Sequence, residues 1–193
     1  MRKIKEYQFA ELIQVATNQL VYCKKIIELP GDENMFSLND ISSSFLKRVC
    51  NACFIESCLI ICNLLKENDK RVISLFNWVE LVDNKSYKLI LDGILKTDEY
   101  KRLVECRDQI FGHQDISNGN NNFPNHRLNG IMNLLLINDA EKILDVLIKI
   151  FDCFTREKNT PYDLNSYFGT IKSEEEIEYI LNEIKPKIEK ISS

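Results

Sequence analysis

Residues 131–154 read IMNLLLINDAEKILDVLIKIFDCF and give the clearest indication of the fold class. Apolar side chains recur along this stretch at steps of three and four residues, as they do on one face of an α-helix. The apolar positions are Ile131, Leu134, Leu135, Ile143, Leu144, Leu147, Ile150, Phe151 and Phe154. The pattern predicts a long amphipathic helix.

The same spacing recurs on both sides of this stretch. A first helix is predicted along Phe9, Leu12, Ile13, Ala16, Leu20 and Ile27, and it ends at Leu29-Pro30-Gly31-Asp32. A second begins near Ser37 or Asn39 and ends before the polar residues 66–70. Shorter helices are predicted from Asp69 through Val82, from Asn84 or Ser86 through Leu95, from Asp98 as N-cap to about Gly112, and from the Ser173–Glu176 capping box through Ile184.

Few turn-forming residues separate these segments. The chain of 193 residues contains only 6 Gly and 4 Pro, too few for the many turns of a sandwich or barrel. No alternating stretch is long enough to build a sheet. The sequence therefore predicts an all-α fold, an antiparallel bundle of five to seven helices. We expect one domain over residues 1–193, with a long Asn-rich surface loop at 114–130.

Composition and charge narrow the classes of function. Hydrophobic residues make up 45% of the chain and the formal charge is −4, which excludes a domain-wide basic surface for duplex nucleic acid. No secretory signal is recognisable, and the longest apolar segment, residues 54–65, is too short to cross a bilayer. Glu56 within that segment is expected on a solvated face or, as the alternative, beside a partner cation such as an arginine, because an unpaired buried carboxylate is costly. We expect a cytoplasmic protein without membrane contact.

Seven cysteines are present, and Cys50 with Cys53 forms a Cys-x-x-Cys pair. A redox pair of this kind normally follows a strand, which is missing here. Thiolates spread along one helix also do not surround a zinc ion tetrahedrally. Because free cysteine is among the most buried residue types, the thiols are expected in the core. No Gly-rich phosphate loop, nucleophile elbow or His-Glu-x-x-His pair occurs, so no cofactor or metal is expected.

One segment carries side chains suited to catalysis, and it contains one of the two histidines of the chain. Residues 107–115 read RDQIFGHQD and lie at the end of a predicted helix, beside the long loop. An arginine that holds phosphate charge and a histidine that moves a proton near neutral pH are the minimal parts of metal-free RNA cleavage. On one continuous helix Arg107 and His113 would lie about 120° apart, although Gly112 can loosen the helix end. The alternative is that Arg107 and Asp108 are surface charges and that the helix dipole favours His113 where it is.

This segment resembles the signature of the HEPN superfamily (higher-eukaryote and prokaryote nucleotide-binding domains): an Arg, a polar residue, a few further residues and a His. Arg107, Asp108 and His113 match it, and residues 111–115 resemble the ending seen in the abortive-infection branch of phage defence. The resemblance is sharp over about nine residues and loose over the rest of the chain.

The resemblance implies a metal-independent endoribonuclease or toxin-type effector of phage defence or a toxin–antitoxin system. His113 would act as general acid or base, Arg107 would stabilise the phosphate charge, and Asp108 would orient one of them. Substrate contacts are expected from Lys101, Arg102 and Gln114. The implied partners are RNA (tRNA or mRNA), an antitoxin protein and a second copy of the chain, whose two-fold dimer forms a composite site. The alternative function is a non-enzymatic helical dimerisation or interaction module; a weaker third one is nucleotide binding.

Overall fold

The computed structural model describes residues 6–27, 41–67, 69, 71–78, 81, 83–111, 134–158 and 179. These residues form five α-helices and no strand, which confirms the predicted all-α fold. The helices are α1 (Glu6–Ile27), α2 (Ile41–Leu64), α3 (Lys85–Ile94), α4 (Asp98–Phe111) and α5 (Leu134–Glu157). The predicted interhelical linker at 29–32, the Asn-rich loop and the capping box of the last helix lie outside the described residues.

Four of the helices pack around a common core. α1 lies against α2 and α5, and α4 lies against α2 and α5. The apolar stripes predicted for α1 and α5 point inward, so that Phe9, Leu147 and Phe151 are fully buried, and Ile61 of α2 and Leu103 of α4 are fully buried beside them. Within the described part of the chain, no helix combines the length and apolar character needed to cross a membrane.

The contact between α1 and α2 is close because small side chains line it. Ala16 and Ser57 are both fully buried there. The Ser57 hydroxyl lies 3.0 Å from the Ala16 carbonyl oxygen and 3.1 Å from that of Cys53, so a hydrogen-bond acceptor is available to this buried donor on either helix. Nearby, the Cys23 thiol donates to the Cys50 carbonyl oxygen at 3.2 Å.

An aromatic cluster closes one end of the core. The Trp78 ring stacks on Phe9 from α1 with centroids 4.7 Å apart, and it meets the Phe154 ring of α5 edge-on at 4.6 Å. Tyr87 of α3 packs edge-on against Phe154 and donates its hydroxyl to Glu157 at 2.9 Å. Residues from three helices and one connection are therefore joined by ring contacts.

The predicted helix from Asp69 through Val82 is wrong for residues 71–78. They contain only a 3₁₀ turn, Leu75–Asn77. Here polar side chains form hydrogen bonds with backbone C=O and N–H groups that would bond to one another in a helix. The Ser74 hydroxyl reaches the Lys66 carbonyl oxygen at 2.6 Å and accepts from the Phe76 N–H, and the Asn77 amide donates to the Asp69 carbonyl oxygen at 2.7 Å.

The starts of the next two helices follow their caps. Asn84 accepts from the Ser86 N–H at 3.1 Å and confirms one of the two predicted starts of α3. The predicted N-cap of α4 is displaced by one residue. Thr97, not Asp98, accepts the Tyr100 N–H at 3.3 Å, and the Thr97 hydroxyl also donates to the Ile94 carbonyl oxygen at 2.7 Å. Asp98 therefore occupies the first helical turn, where an acid complements the helix dipole.

Thr97 is expected to contribute measurably to stability because its hydroxyl joins the end of α3 to the start of α4. We expect Thr97→Ala to lower the free energy of unfolding by about 1 kcal/mol, measured by urea denaturation followed by circular dichroism. Thr97→Ser keeps the hydroxyl and is the matched control. Equal losses in both variants would show that the cap does not stabilise α4.

Candidate functional site

Arg107 and Asp108 lie in the last turns of α4 and pair with each other. The Arg107 Nε and Nη2 atoms donate to Asp108 Oδ1 at 2.9 and 2.7 Å. The arginine side chain is 28% exposed and the carboxylate 63% exposed, so the carboxylate is the outer partner. Partial burial acts to lower the pKa of the Arg107 guanidinium. The hydrogen bond to Asp108 and the neighbouring Cys62 act in the opposite direction, and the pKa is raised overall. The arginine is therefore a fixed positive charge at the edge of the bundle.

The other two candidate site residues of the segment, His113 and Gln114, lie outside the described residues, which resume only at 134 after α4. Their roles in proton transfer and substrate binding stay predictions from the sequence.

Lys101 and Arg102 are on α4 but do not share a face with Arg107. At 100° per residue they lie about 120° and about 140° around the helix from it. The Lys101 ammonium group pairs with Asp98 at 3.0 Å in solvent. The described helix thus does not bring the three predicted phosphate-binding cations together, and substrate binding by Lys101 and Arg102 also stays a prediction.

Arg102 fastens α4 to α5. Its Nε atom donates to Asp139 Oδ2 at 2.7 Å and its Nη2 atom to Asp139 Oδ1 at 3.0 Å. The Asp139 side chain has no exposed surface, whereas Arg102 is half-buried. The hydrogen bond to Asp139 raises the pKa of Arg102. A buried carboxylate needs a charged partner, so the main role of the Arg102 guanidinium is to stabilise the fold by pairing with Asp139.

On its opposite side α4 is held by α2. The Cys58 thiol donates to the Leu103 carbonyl oxygen at 3.5 Å. In a regular helix, that carbonyl also accepts the N–H four residues later, which is that of Arg107. The turn that carries the motif arginine is therefore anchored on α2 through its backbone and on α5 through Arg102.

Tyr100 is a neighbour of Arg107 that the motif does not contain. It lies two turns earlier on the same side of α4, and its ring is half-buried. Burial raises the pKa of the Tyr100 hydroxyl to about 12, while the charge of Arg107 acts in the opposite direction. Tyr100 is thus protonated at neutral pH and can donate a hydrogen bond near the arginine. The signal in the sequence is its seven-residue spacing from Arg107.

The cysteines confirm the prediction of a core location, with one exception. Six of the seven are buried, and Cys153 is exposed. They form two clusters. Cys23, Cys50 and Cys53 make the α1–α2 thiol cluster, and Cys58, Cys62 and Cys106 make the α2–α4 thiol cluster. Among the residues that the structure describes, no group of His, Cys, Asp or Glu side chains is arranged to hold a metal ion.

The α2–α4 thiol cluster adjoins Arg107. The hydrogen bond with Cys58 and the charge of Arg107 lower the pKa of the Cys62 thiol. Hydrogen bonds with Cys106 and Cys62, together with burial, raise the pKa of Cys58. Cys58 is thus the thiol that keeps its proton within this cluster.

Comparisons of the chain with protein-family models, with curated proteins and with solved structures find no match.

Proposed function

We propose that this protein is a metal-independent endoribonuclease, a toxin-type effector of prokaryotic phage defence or of a toxin–antitoxin system, whose site is built on Arg107, Asp108 and His113. The fold class and the motif support the same proposal. Arg107 and Asp108 lie in the last turns of a helix in an all-α fold, and a motif near a helix end is what the resemblance to the HEPN superfamily implies. The implied location is the cytoplasm, and the active form is a homodimer with a composite cleft.

The observation that carries the proposal is the setting of Arg107. A guanidinium has five N–H donors, and Asp108 engages two of its nitrogens through one carboxylate oxygen. Donors remain for a further anion such as a phosphodiester, two of whose oxygens the planar guanidinium can bind with a fork of parallel hydrogen bonds. Because the carboxylate is exposed and the arginine is half-buried, an RNA backbone would approach the guanidinium past Asp108.

The reaction would be internal transesterification of RNA. The 2′-oxygen forms a bond to the adjacent phosphorus, the bond from phosphorus to the 5′-oxygen breaks, and a cyclic phosphate end results. His113 would take the 2′ proton or supply a proton to the leaving 5′-oxygen, and a second protomer can provide the other of these two roles. Arg107 would stabilise the negative charge that develops on the phosphate.

A surface feature favours the alternative function, a non-enzymatic interaction module. Leu89 and Ile90 on α3 are 73% and 44% exposed. Exposed apolar surface, where it forms a patch, marks contact sites between proteins. Under this alternative, Leu89→Glu abolishes partner binding, whereas substitutions at the motif do not.

The deciding experiment is RNA cleavage by the purified protein in excess EDTA, with total RNA and tRNA as substrates. We expect Arg107→Ala and His113→Ala to lower the cleavage rate about 100-fold or more, since each removes a group that acts on the transition state. Cleaved ends should carry cyclic phosphates.

The chain provides a matched control. Arg71 is also a surface arginine that pairs with a nearby aspartate, at 3.0 Å through Asp69 Oδ1, but it lies outside the motif. Arg71→Ala should therefore cleave RNA at the wild-type rate. Equal cleavage by all variants would refute the assigned site, and no cleavage by the wild type across both substrates would favour the interaction module.

A further inference from the structure

Among the residues that the structure describes, the α2–α4 thiol cluster is an assembly of nucleophilic side chains beside the candidate site that the proposed reaction does not use. Its members come from two helices. Cys58 and Cys62 lie on α2, and Cys106 lies on α4 next to Arg107. Positions 62 and 106 are 44 residues apart in the sequence, so the sequence alone does not indicate that these thiols are neighbours.

We infer that Cys58 and Cys106 form a peroxide-sensitive modification site, in which a hydroperoxide converts the two thiols into a disulfide that joins α2 to α4. The inference concerns the thiols alone and holds whether or not the protein cleaves RNA.

Burial within the cluster decides which thiol reacts first. Cys106 is 7% exposed, whereas Cys58 is 1% exposed and Cys62 is sealed at 0%. A small oxidant such as hydrogen peroxide therefore meets Cys106 first. The hydrogen bond with Cys58 also lowers the pKa of the Cys106 thiol, which favours the thiolate as the attacking species.

The partner of Cys106 is indicated by proximity. Cys58 and Cys106 are close enough for each thiol to shift the pKa of the other, and the Cys58 thiol is 3.5 Å from the Leu103 carbonyl oxygen, one turn before Cys106. Cys62 is four residues from Cys58 on the same helix, and side chains in this relation do not orient well for a disulfide. The cross-link between helices is thus favoured over one within α2.

The chemistry balances with the oxidant alone. The Cys106 thiolate attacks one peroxide oxygen, the O–O bond breaks, and sulfenic acid and hydroxide form. The Cys58 sulfur then attacks the Cys106 sulfur, the S–O bond breaks, and water leaves. Two thiols are oxidised, one peroxide is reduced, and two waters are produced. No metal or further cofactor takes part.

The α1–α2 thiol cluster is a poorer candidate for the same reaction. Its Cys23 and Cys50 thiols each donate to a backbone carbonyl of the other helix, at 3.2 and 3.8 Å, as Cys58 does to α4. The hydrogen bond with Cys23 lowers the pKa of its least buried member, Cys53, but burial and the negative charge of Glu56 oppose that shift. At Cys106, burial alone opposes the hydrogen bond with Cys58 that lowers the thiol pKa.

The test maps disulfides in the full chain. Reduced protein is treated with a small excess of hydrogen peroxide, alkylated with N-ethylmaleimide, digested and analysed by mass spectrometry without reduction. We expect one intramolecular cross-link, Cys58–Cys106, at about tenfold higher yield in native protein than in urea, because only the folded chain holds the sulfurs together.

Three variants make the assignment specific. Cys106→Ser should remove the cross-link, whereas Cys62→Ser and Cys153→Ser, which alters the exposed thiol, should leave it intact. The wild-type result does not depend on any variant folding, and circular dichroism verifies the helices of each one. A mixture of disulfides, equal yields with and without urea, or oxidation confined to Cys153 would overturn the inference.

Discussion

Phe9→Ala is expected to lower the free energy of unfolding by about 3–5 kcal/mol. The Phe9 ring has no exposed surface and stacks on Trp78 at 4.7 Å with an interplanar angle of 18°. Removing the ring leaves a cavity between α1 and the aromatic cluster and also breaks the stacking contact, which adds to the loss from burial. Urea denaturation followed by circular dichroism measures the change, because the signal of the only tryptophan would itself respond to the lost ring.

Leu89→Ala is the matched control for this prediction. It also truncates a large apolar side chain, but Leu89 is 73% exposed and packs little. We expect its unfolding free energy to stay within about 0.5 kcal/mol of the wild type. Similar losses for Phe9→Ala and Leu89→Ala would mean that Phe9 does not belong to the core described above.

Arg102→Met is expected to lower the melting temperature by about 10 °C. The cost arises at its partner, since Asp139 has no exposed surface and would be left as an unpaired buried carboxylate. Methionine keeps much of the length and apolar volume of the arginine stem, so the loss reports on the charge pair and not on packing. Differential scanning calorimetry measures the shift.

A second substitution separates the pair from other roles of Arg102. Arg102→Met combined with Asp139→Leu removes both charges, and we expect it to recover most of the lost melting temperature. Lys101→Met, which breaks an exposed pair with Asp98, should shift the melting temperature by about 1 °C or less. If the double variant melts as low as Arg102→Met, the buried pair is not the source of the effect.

The long helices could be predicted because burying one face of a helix requires apolar residues at steps of three and four along the sequence. The stripes through Phe9 and Leu20 on α1 and through Leu147 and Phe151 on α5 are buried as the spacing indicates. The connection after α2 could not be predicted in the same way. Val72, Leu75 and Phe76 have helical spacing, yet Ser74 binds backbone atoms eight and ten residues earlier. A contact of this kind leaves no local periodic signal.

Less of the candidate site than of the long helices could be predicted from the sequence, because many contacts of the site join residues that are far apart along the chain. Arg107 and Asp108 could be identified from the motif, and their pairing is local. The partner of Arg102 lies 37 residues away on α5. An aspartate within the apolar stretch 134–151 is the signal that could have found it, since a buried carboxylate demands a cation. The contact between Cys58 and Cys106 has no such marker in the sequence.

The packing of α1 against α5 has a consequence for synthesis on the ribosome. α1 emerges first, yet one of its two main neighbours is the last long helix described, which begins only at Leu134. Until α5 has been translated, the apolar face of α1 that packs against α5 stays exposed to solvent, although α1 and α2 can already pair. The nascent chain must therefore be kept from aggregating until α5 emerges.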